Sequence, residues 1–318
     1  MTSRAEIEVR IARMRIAHIS DLHVLSMDGV SAGRFFNKRF TGYMNLKLKR
    51  QHVHRSHTVV ALLREIRRQN PDHVVITGDL TNLALEPEFE AVRDMLDKEL
   101  GFDPSRVSVV PGNHDLYTRG AQRSQRFTRY LAPYVTSDLP DLAATIALGS
   151  FPFVRLRDNV AIIGLSSAVP RLPLVASGEL GKKQAEALRA ILAHDEVKKR
   201  TPVFLLHHPP RNPESFVKTA LEGLWDAAAL MSTSNHLARG LFLHGHLHRR
   251  IHRAHQTQSG SLDSVGATSA SLHHENADRM AGFNTYDIDA SGAIEKISSV
   301  VFDAEHGTFS VRAVPTAA

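Results

Sequence analysis

Arg15–His23 reads RIAHISDLH: a short apolar, β-branched run that ends in a carboxylate and an imidazole two residues apart. Four other stretches repeat this plan. His73–Asp79 reads HVVITGD, Val107–Asp115 reads VSVVPGNHD, Pro202–Pro210 reads PVFLLHHPP and Leu241–His248 reads LFLHGHLH. Apolar runs this short, bounded by Gly or Pro, read as buried strands. Each delivers Asp, Asn or His just past its carboxyl end, where ligands of α/β sheets bind. Chance would scatter such residues over helix faces. Here the spacing predicts that Asp21, His23, Asp79, Asn113, His207, His246 and His248 collect at one edge of one sheet. Seven donors exceed the need of one tetrahedral ion and suit two ions sharing a carboxylate. Carboxylate, amide and imidazole without thiolate favour Mn²⁺, Fe²⁺/Fe³⁺ or Zn²⁺ over copper or an iron–sulfur centre. The glycines at 78, 112 and 245 allow sharp turns beside the ions.

Around these stretches the chain alternates strand and helix. Val160–Leu165 is a further strand. Val59, Leu62, Leu63 and Ile66 lie at i, i+3, i+4, i+7, the stripe of a core-facing helix. Phe89, Val92, Leu96 and Leu100 mark a second helix behind Pro87, with Gly101 beyond its end. A third runs from about Glu179 to His194. The alternation argues for a layered α/β domain. After about residue 250 helices stop. Asn284–Ile288, Ile294–Phe302 and Thr308–Val314 are expected to form a mainly antiparallel second sheet. Residues 1–318 are read as one domain, with a motif-bearing core at 15–250, insertions at about 24–54 and 116–150, and closing strands in 251–318.

The chain has 318 residues, 42% hydrophobic, and no cysteine. That excludes a disulfide framework, thiolate metal sites and a cysteine nucleophile. No run of apolar residues is long enough for a membrane-spanning helix. The N-terminal residues carry charges of both signs and no apolar core, so a cytoplasmic location is expected. Histidine is abundant, at 19 residues, which fits metal ligation and acid–base work. The net charge of +6 is uneven: residues 34–68 carry +9, leaving −3 elsewhere. Within that segment Phe35, Phe36 and Phe40 alternate with Lys38 and Arg39. Such an element either packs as a cap on the core or contacts an anionic membrane surface, at the inner face of the membrane. Nucleic acid is a less favoured partner for the same residues. Arg119, Arg123, Arg126 and Arg129 fall at near-helical spacing, as a solvated face or a phosphate-recognising lid.

The ordered motifs D-x-H, G-D, G-N-H-D, H-H-P and G-H-x-H resemble those of the calcineurin-like metallophosphoesterase superfamily. The HHPP form is nearest its bacterial class III cyclic-nucleotide phosphodiesterase branch. The resemblance implies a two-sheet α/β/β/α sandwich with a dinuclear metal site at the carboxyl ends of the strands. It implies one ion on Asp21, His23, Asp79 and His248, and another on Asp79, Asn113, His207 and His246. A water activated by the ions would attack phosphorus. His114 would protonate the leaving oxygen, with Asp115 or another carboxylate holding its ring, and His208 would lie behind the ligands or face substrate. The implied activity is phosphoester hydrolysis, with 3′,5′-cyclic nucleotides as first substrate candidate. A lipid-linked phosphodiester or pyrophosphate, as for UDP-2,3-diacylglucosamine hydrolase, is the alternative. A metal-binding interaction scaffold is the non-enzyme alternative. Oligomeric state is not legible.

Overall fold

The computed structural model describes residues 13–28, 30, 55–211 and 215–317. Phe35, Phe36, Lys38, Arg39 and Phe40, with most of the expected insertion at 24–54, lie outside the described residues.

The apolar runs form strands where expected. They are β1 (Met14–Ile19), β2 (His73–Ile76), β3 (Val107–Val109), β7 (Val160–Gly164), β8 (Thr201–Leu205) and β9 (Leu241–His244). They do not share one sheet. β1, β2 and β3 are parallel neighbours in a first six-stranded sheet, and β7, β8 and β9 are parallel neighbours in a second. Period-two alternation explains the stacking. Val203, Leu205, Leu241 and Leu243 face the core shared with the first sheet. Phe204, Leu206 and Phe242 face the opposite way. They pack under helices α5 (Gly181–Ala193) and α8 (Ala227–Ser234), against Leu188, Ile191 and Leu230. Each inner strand is therefore buried on both faces, as parallel strands require.

Helix α1 (Ser56–Gln69) covers the first sheet with Val59, Leu62, Leu63 and Ile66, all fully buried. Asn70, in left-handed backbone, ends it by donating its N–H to Ile66 and Arg67 carbonyls. Helix α2 (Glu86–Met95) continues as one π turn to Leu100, and Gly101 at φ +65° closes it.

The C-terminal strands differ from expectation in placement. β12 (Gly282–Ile288), β13 (Ile294–Asp303) and β14 (Thr308–Ala313) form no separate sheet. They extend the first one, because β12 pairs antiparallel with the free edge of β1. β10 (Ile251–Gln256) and β11 (Ser261–Gly266) extend the second sheet next to β9. Its other edge is β6 (Phe153–Arg157). In the 116–150 insertion, helices α3 (Arg119–Arg123) and α4 (Arg126–Leu131) break at Ser124–Gln125. A hairpin, β4 (Ala144–Ile146) and β5 (Gly149–Phe151), follows. Arg119, Arg123 and Arg129 are exposed. Arg126 is bound to Glu86 at 2.9 Å and donates to the Ala84 carbonyl at 2.7 Å, so it braces α2.

Candidate metal centre

The loops after β1, β2, β3, β8 and β9 meet where the two sheets open. Backbone bonds lock the first two loops together: Asp21 N–H donates to Gly78 O, and His23 N–H to Asp79 O, both at 2.9 Å. Five of the seven expected ligands, Asp21, His23, Asp79, His246 and His248, hold φ between +48° and +69°. Left-handed backbone is costly for residues with a Cβ, and it persists only where the surroundings impose it. Two glycines are required by close approach. A Cβ at Gly112 would strike the Asp79 carboxylate, and one at Gly245 would strike Ser20 Oγ and the Asp21 carboxylate.

Asp21, His23, Asp79 and His248 bring one ligand atom each within 4.8 Å of one another. His23 Nε2 and His248 Nε2 are 3.2 Å apart, and His248 Nε2 is 3.0 Å from Asp21 Oδ1. That Oδ1 is buried and accepts no well-aligned hydrogen bond. Beside this group, His207 Nε2 lies 3.4 Å from Asp79 Oδ2 and 3.1 Å from Asn113 Oδ1. His246 Nδ1 is 3.2 Å from the same amide oxygen. The other nitrogens of these two rings point at carbonyls, His207 Nδ1 at Thr77 (2.7 Å) and His246 Nε2 at Glu222 (2.9 Å). With protons there, the remaining ring nitrogens present lone pairs toward other acceptors. Acceptors facing acceptors repel unless a cation sits among them, so the donor set fits metal. Without metal a proton serves that purpose: burial works against a charged His207, but Asp79 outweighs it and raises the ring to about 9. Burial likewise favours neutral carboxyls, yet the neighbouring imidazoles hold Asp21 and Asp79 below the ordinary carboxylate range.

His114 stands at the edge of this cluster. Its backbone N–H donates to Asp79 Oδ1 at 2.8 Å, and its ring Nδ1 lies 2.7 Å from the Asn82 carbonyl. Its ring stacks on Tyr117, with centroids 5.4 Å apart. The expected carboxylate brace is therefore a backbone carbonyl. Asp115 instead is fully buried and accepts N–H groups of Leu80, Thr81 and Gly112, tying two loops together. His208 is fully buried, with both ring nitrogens engaged. Ser167 Oγ bonds its Nδ1 at 2.9 Å, and its Nε2 reaches the Ala176 carbonyl at 2.8 Å.

A chain of buried hydrogen bonds behind Asp21 escaped the motif reading. His18 bridges Tyr286 OH (3.0 Å) and Thr77 Oγ1 (2.8 Å). Thr77 Oγ1 donates to Ser20 Oγ at 2.8 Å, and Ser20 Oγ to Asp21 Oδ2 at 2.6 Å. Burial, reinforced by His244, lowers His18 to about 3, so its ring is neutral. The only sequence signal was a histidine inside an apolar strand.

The calcineurin-like phosphoesterase family profile matches residues 14–250, which span every strand-end motif. The chain belongs to the calcineurin-like phosphoesterase family. No curated protein matches the sequence. Among solved structures, a dimetal phosphatase from Danio rerio aligns at 17% identity and TM-score 0.56, covering 95% of this chain and 97% of that one. A purple acid phosphatase from yellow lupin (Lupinus luteus) seeds aligns at 13% identity and TM-score 0.56, covering 94% of this chain and 52% of that one. At such identities these likenesses show the shared fold. For this phosphoesterase the family match adds the activity class, phosphoester hydrolysis. Among its described residues no helix is long and apolar enough to cross a membrane.

Proposed function

We propose that this phosphoesterase hydrolyses phosphodiesters with two metal ions, one on Asp21, His23, Asp79 and His248, the other on Asp79, Asn113, His207 and His246. The observation that carries the reading is the convergence of one ligand atom each from Asp21, His23, Asp79 and His248 within 4.8 Å, with His207, His246 and Asn113 grouped beside them. When bound, such ions supply an activated water and neutralise the phosphoryl oxygens. The chain's own residues do the rest. Asn113 contributes a neutral oxygen, so it adds no negative charge where an anionic substrate must enter. His114, its Nδ1 held on the Asn82 carbonyl, would as the imidazolium pass its Nε2 proton to the leaving oxygen.

The motif resemblance puts 3′,5′-cyclic nucleotides first among substrates. One observation favours a lipid-linked phosphodiester or pyrophosphate: the segments whose Ala176 and Glu222 carbonyls hold His208 and His246 also carry exposed apolar side chains, Leu174 at 93% and Phe216 at 85%. Turnover of bis(p-nitrophenyl) phosphate with added Mn²⁺ tests the reaction class. If Mn²⁺, Fe²⁺ and Zn²⁺ all bind and none supports turnover, the chain is a metal-binding scaffold. A panel of cyclic nucleotides, lipid-linked pyrophosphates and nucleic acids then decides the substrate.

A further inference from the structure

Glu88 sits on the first turn of α2 and is fully buried. Its carboxyl group accepts three backbone N–H groups: Leu85 and Leu83 at Oε2, both at 3.0 Å, and Asn82 at Oε1, at 3.3 Å. The Leu85 bond is the reach-back of a capping box, which serves the start of the helix. Capping needs no more than that, and a side chain in water can do it. The other two bonds lie outside the helix, in the run Asn82–Leu85. Ala84 in that run holds left-handed backbone, φ +53°, which persists only where its surroundings impose it. A carboxyl taken wholly out of water is costly unless its bonds are made, so a helix cap alone does not account for Glu88.

What Glu88 holds in place is Asn82. That residue is buried and meets the metal centre twice. Its side-chain Nδ2 donates to the His23 carbonyl at 2.6 Å, and its own carbonyl lies 2.7 Å from His114 Nδ1. The His114 ring meets the His23 ring edge-on, with centroids 5.1 Å apart. Asp115 anchors Leu80 and Thr81, and Glu88 takes over at Asn82. Only two soft dihedrals separate the Asn82 N–H from the Asn82 carbonyl. A shift of the first therefore turns the second away from the imidazole.

We propose that Glu88 is a positioning residue for His114: through the Asn82 backbone it fixes the ring that gives the proton to the leaving oxygen. The catalytic consequence rests on the proton-donor reading of His114; the hold on the ring does not.

The test compares the Mn²⁺-loaded full chain with E88Q, E88D, H114A and the double variant E88Q/H114A, each checked for fold by circular dichroism. Glutamine keeps the size of Glu88 but offers one accepting oxygen. With that oxygen on Leu83 and Leu85, its NH₂ faces the Asn82 N–H. Aspartate keeps both oxygens on an arm too short for all three bonds. Turnover is followed on bis(p-nitrophenyl) phosphate and on diphenyl phosphate, whose leaving group is the poorer. E88Q should lose about 10–100-fold in kcat on diphenyl phosphate and less on the nitrophenyl diester, with KM and both metal ions retained. Combined with H114A it should cost nothing further, since its effect passes through that ring. The long-range ¹H–¹⁵N spectrum of the Zn²⁺-loaded chain, with His114 assigned by its absence from H114A, should show Nδ1 protonated in wild type and mixed tautomers in E88Q and E88D. Loss of metal from E88Q, or a double variant slower than H114A, overturns the proposal, because Glu88 would then support the loop as a whole. So do equal losses of E88Q on two diesters that H114A tells apart, and so does an unchanged His114 spectrum. No diester turnover by wild type, or H114A equally slow on both diesters, would sink the proton-donor reading; mixed tautomers in E88Q would leave the hold on the ring standing.

Discussion

The two halves of the candidate metal centre are built from different donors. Asp21, His23, Asp79 and His248 gather two carboxylates and two imidazoles within 4.8 Å, all but His248 buried. The neighbouring half gathers His207 and His246 around the neutral amide of Asn113 and borrows its negative charge from Asp79. The first half offers two carboxylates and the second only the shared one, so the greater negative charge should make the first half load first and leave the second to exchange. A tight ion can anchor the site while a looser one adjusts to the phosphoryl group.

The largest effect should come from the residue both halves share. Asp79→Asn should release both ions and bring bis(p-nitrophenyl) phosphate turnover to background, with the fold retained. Metal content by mass spectrometry beside circular dichroism checks this. Two ions retained at near-wild-type rate would remove the shared bridge from the account.

Next come variants that separate the halves. Asp21→Asn should lose the tight ion and, with it, turnover. Asn113→Ala should keep one ion bound and lose only the weaker. Titration of Mn²⁺ into the metal-free proteins, followed by calorimetry, should show two steps in wild type and one in Asn113→Ala. Equal loss from both variants would mean that the halves bind as one unit.

His114 serves neither half as a ligand. His114→Ala should therefore keep both ions and lose about 10²–10⁴-fold in turnover of diesters with poor leaving groups. Nitrophenyl esters, whose leaving group needs no proton, should suffer less. Equal losses on both substrate types would contradict proton donation.

The layered α/β architecture was legible in the sequence, and so was the meeting of the strand ends; the strand order was not. The seven candidate ligands, His114 and the six apolar strands could be read because each is a short run with a fixed ending. The order of the strands within two sheets could not, since it depends on pairings far apart in the chain. β6 went unread because Arg155 interrupts it. That arginine is fully buried, its guanidinium donating to the Pro104 and Pro133 carbonyls and to Thr136. β10, IHRAHQ, is too polar to look like a strand and lies on a sheet edge, where one side meets solvent. The Asn82 brace on His114 was invisible for another reason: backbone carbonyls carry no residue signature.

The bracing behind Asp21 offers a finer probe of the asymmetry. Ser20→Ala removes the donor to Asp21 Oδ2 while leaving every candidate ligand in place. It should weaken the first-half ion about 10–100-fold, as loss of outer hydrogen bonds to metal ligands generally does. The second-half ion should be unaffected. Equal weakening at both steps of the Mn²⁺ titration would show that Ser20 supports the loop as a whole, not one carboxylate.

The smallest effect concerns His18, one step further back, and it is read in stability. Burial holds its ring neutral, with a folded-state pKa of about 3 against 6.5 unfolded. A depressed value means that the unfolded chain takes the proton first. The contribution of His18 is thus complete above about 6.5 and is lost progressively as pH falls toward 3. The slope from one such group approaches about 1.4 kcal/mol per pH unit. His244 is lowered to about 4, again by burial, so the metal-free protein should lose stability steeply below pH 6. His18→Gln keeps polar contacts to Thr77 and Tyr286 but cannot take up that proton in the unfolded state. Its urea-unfolding free energy should start lower at pH 8 and fall less between pH 6.5 and pH 5 than that of wild type. Parallel profiles would mean that His18 is not the group that titrates on unfolding. The same variant, loaded with Mn²⁺, should weaken the first binding step more than the second, because the side-chain path from the ring runs through Thr77 and Ser20 to Asp21, while Thr77 meets His207 only through its backbone carbonyl.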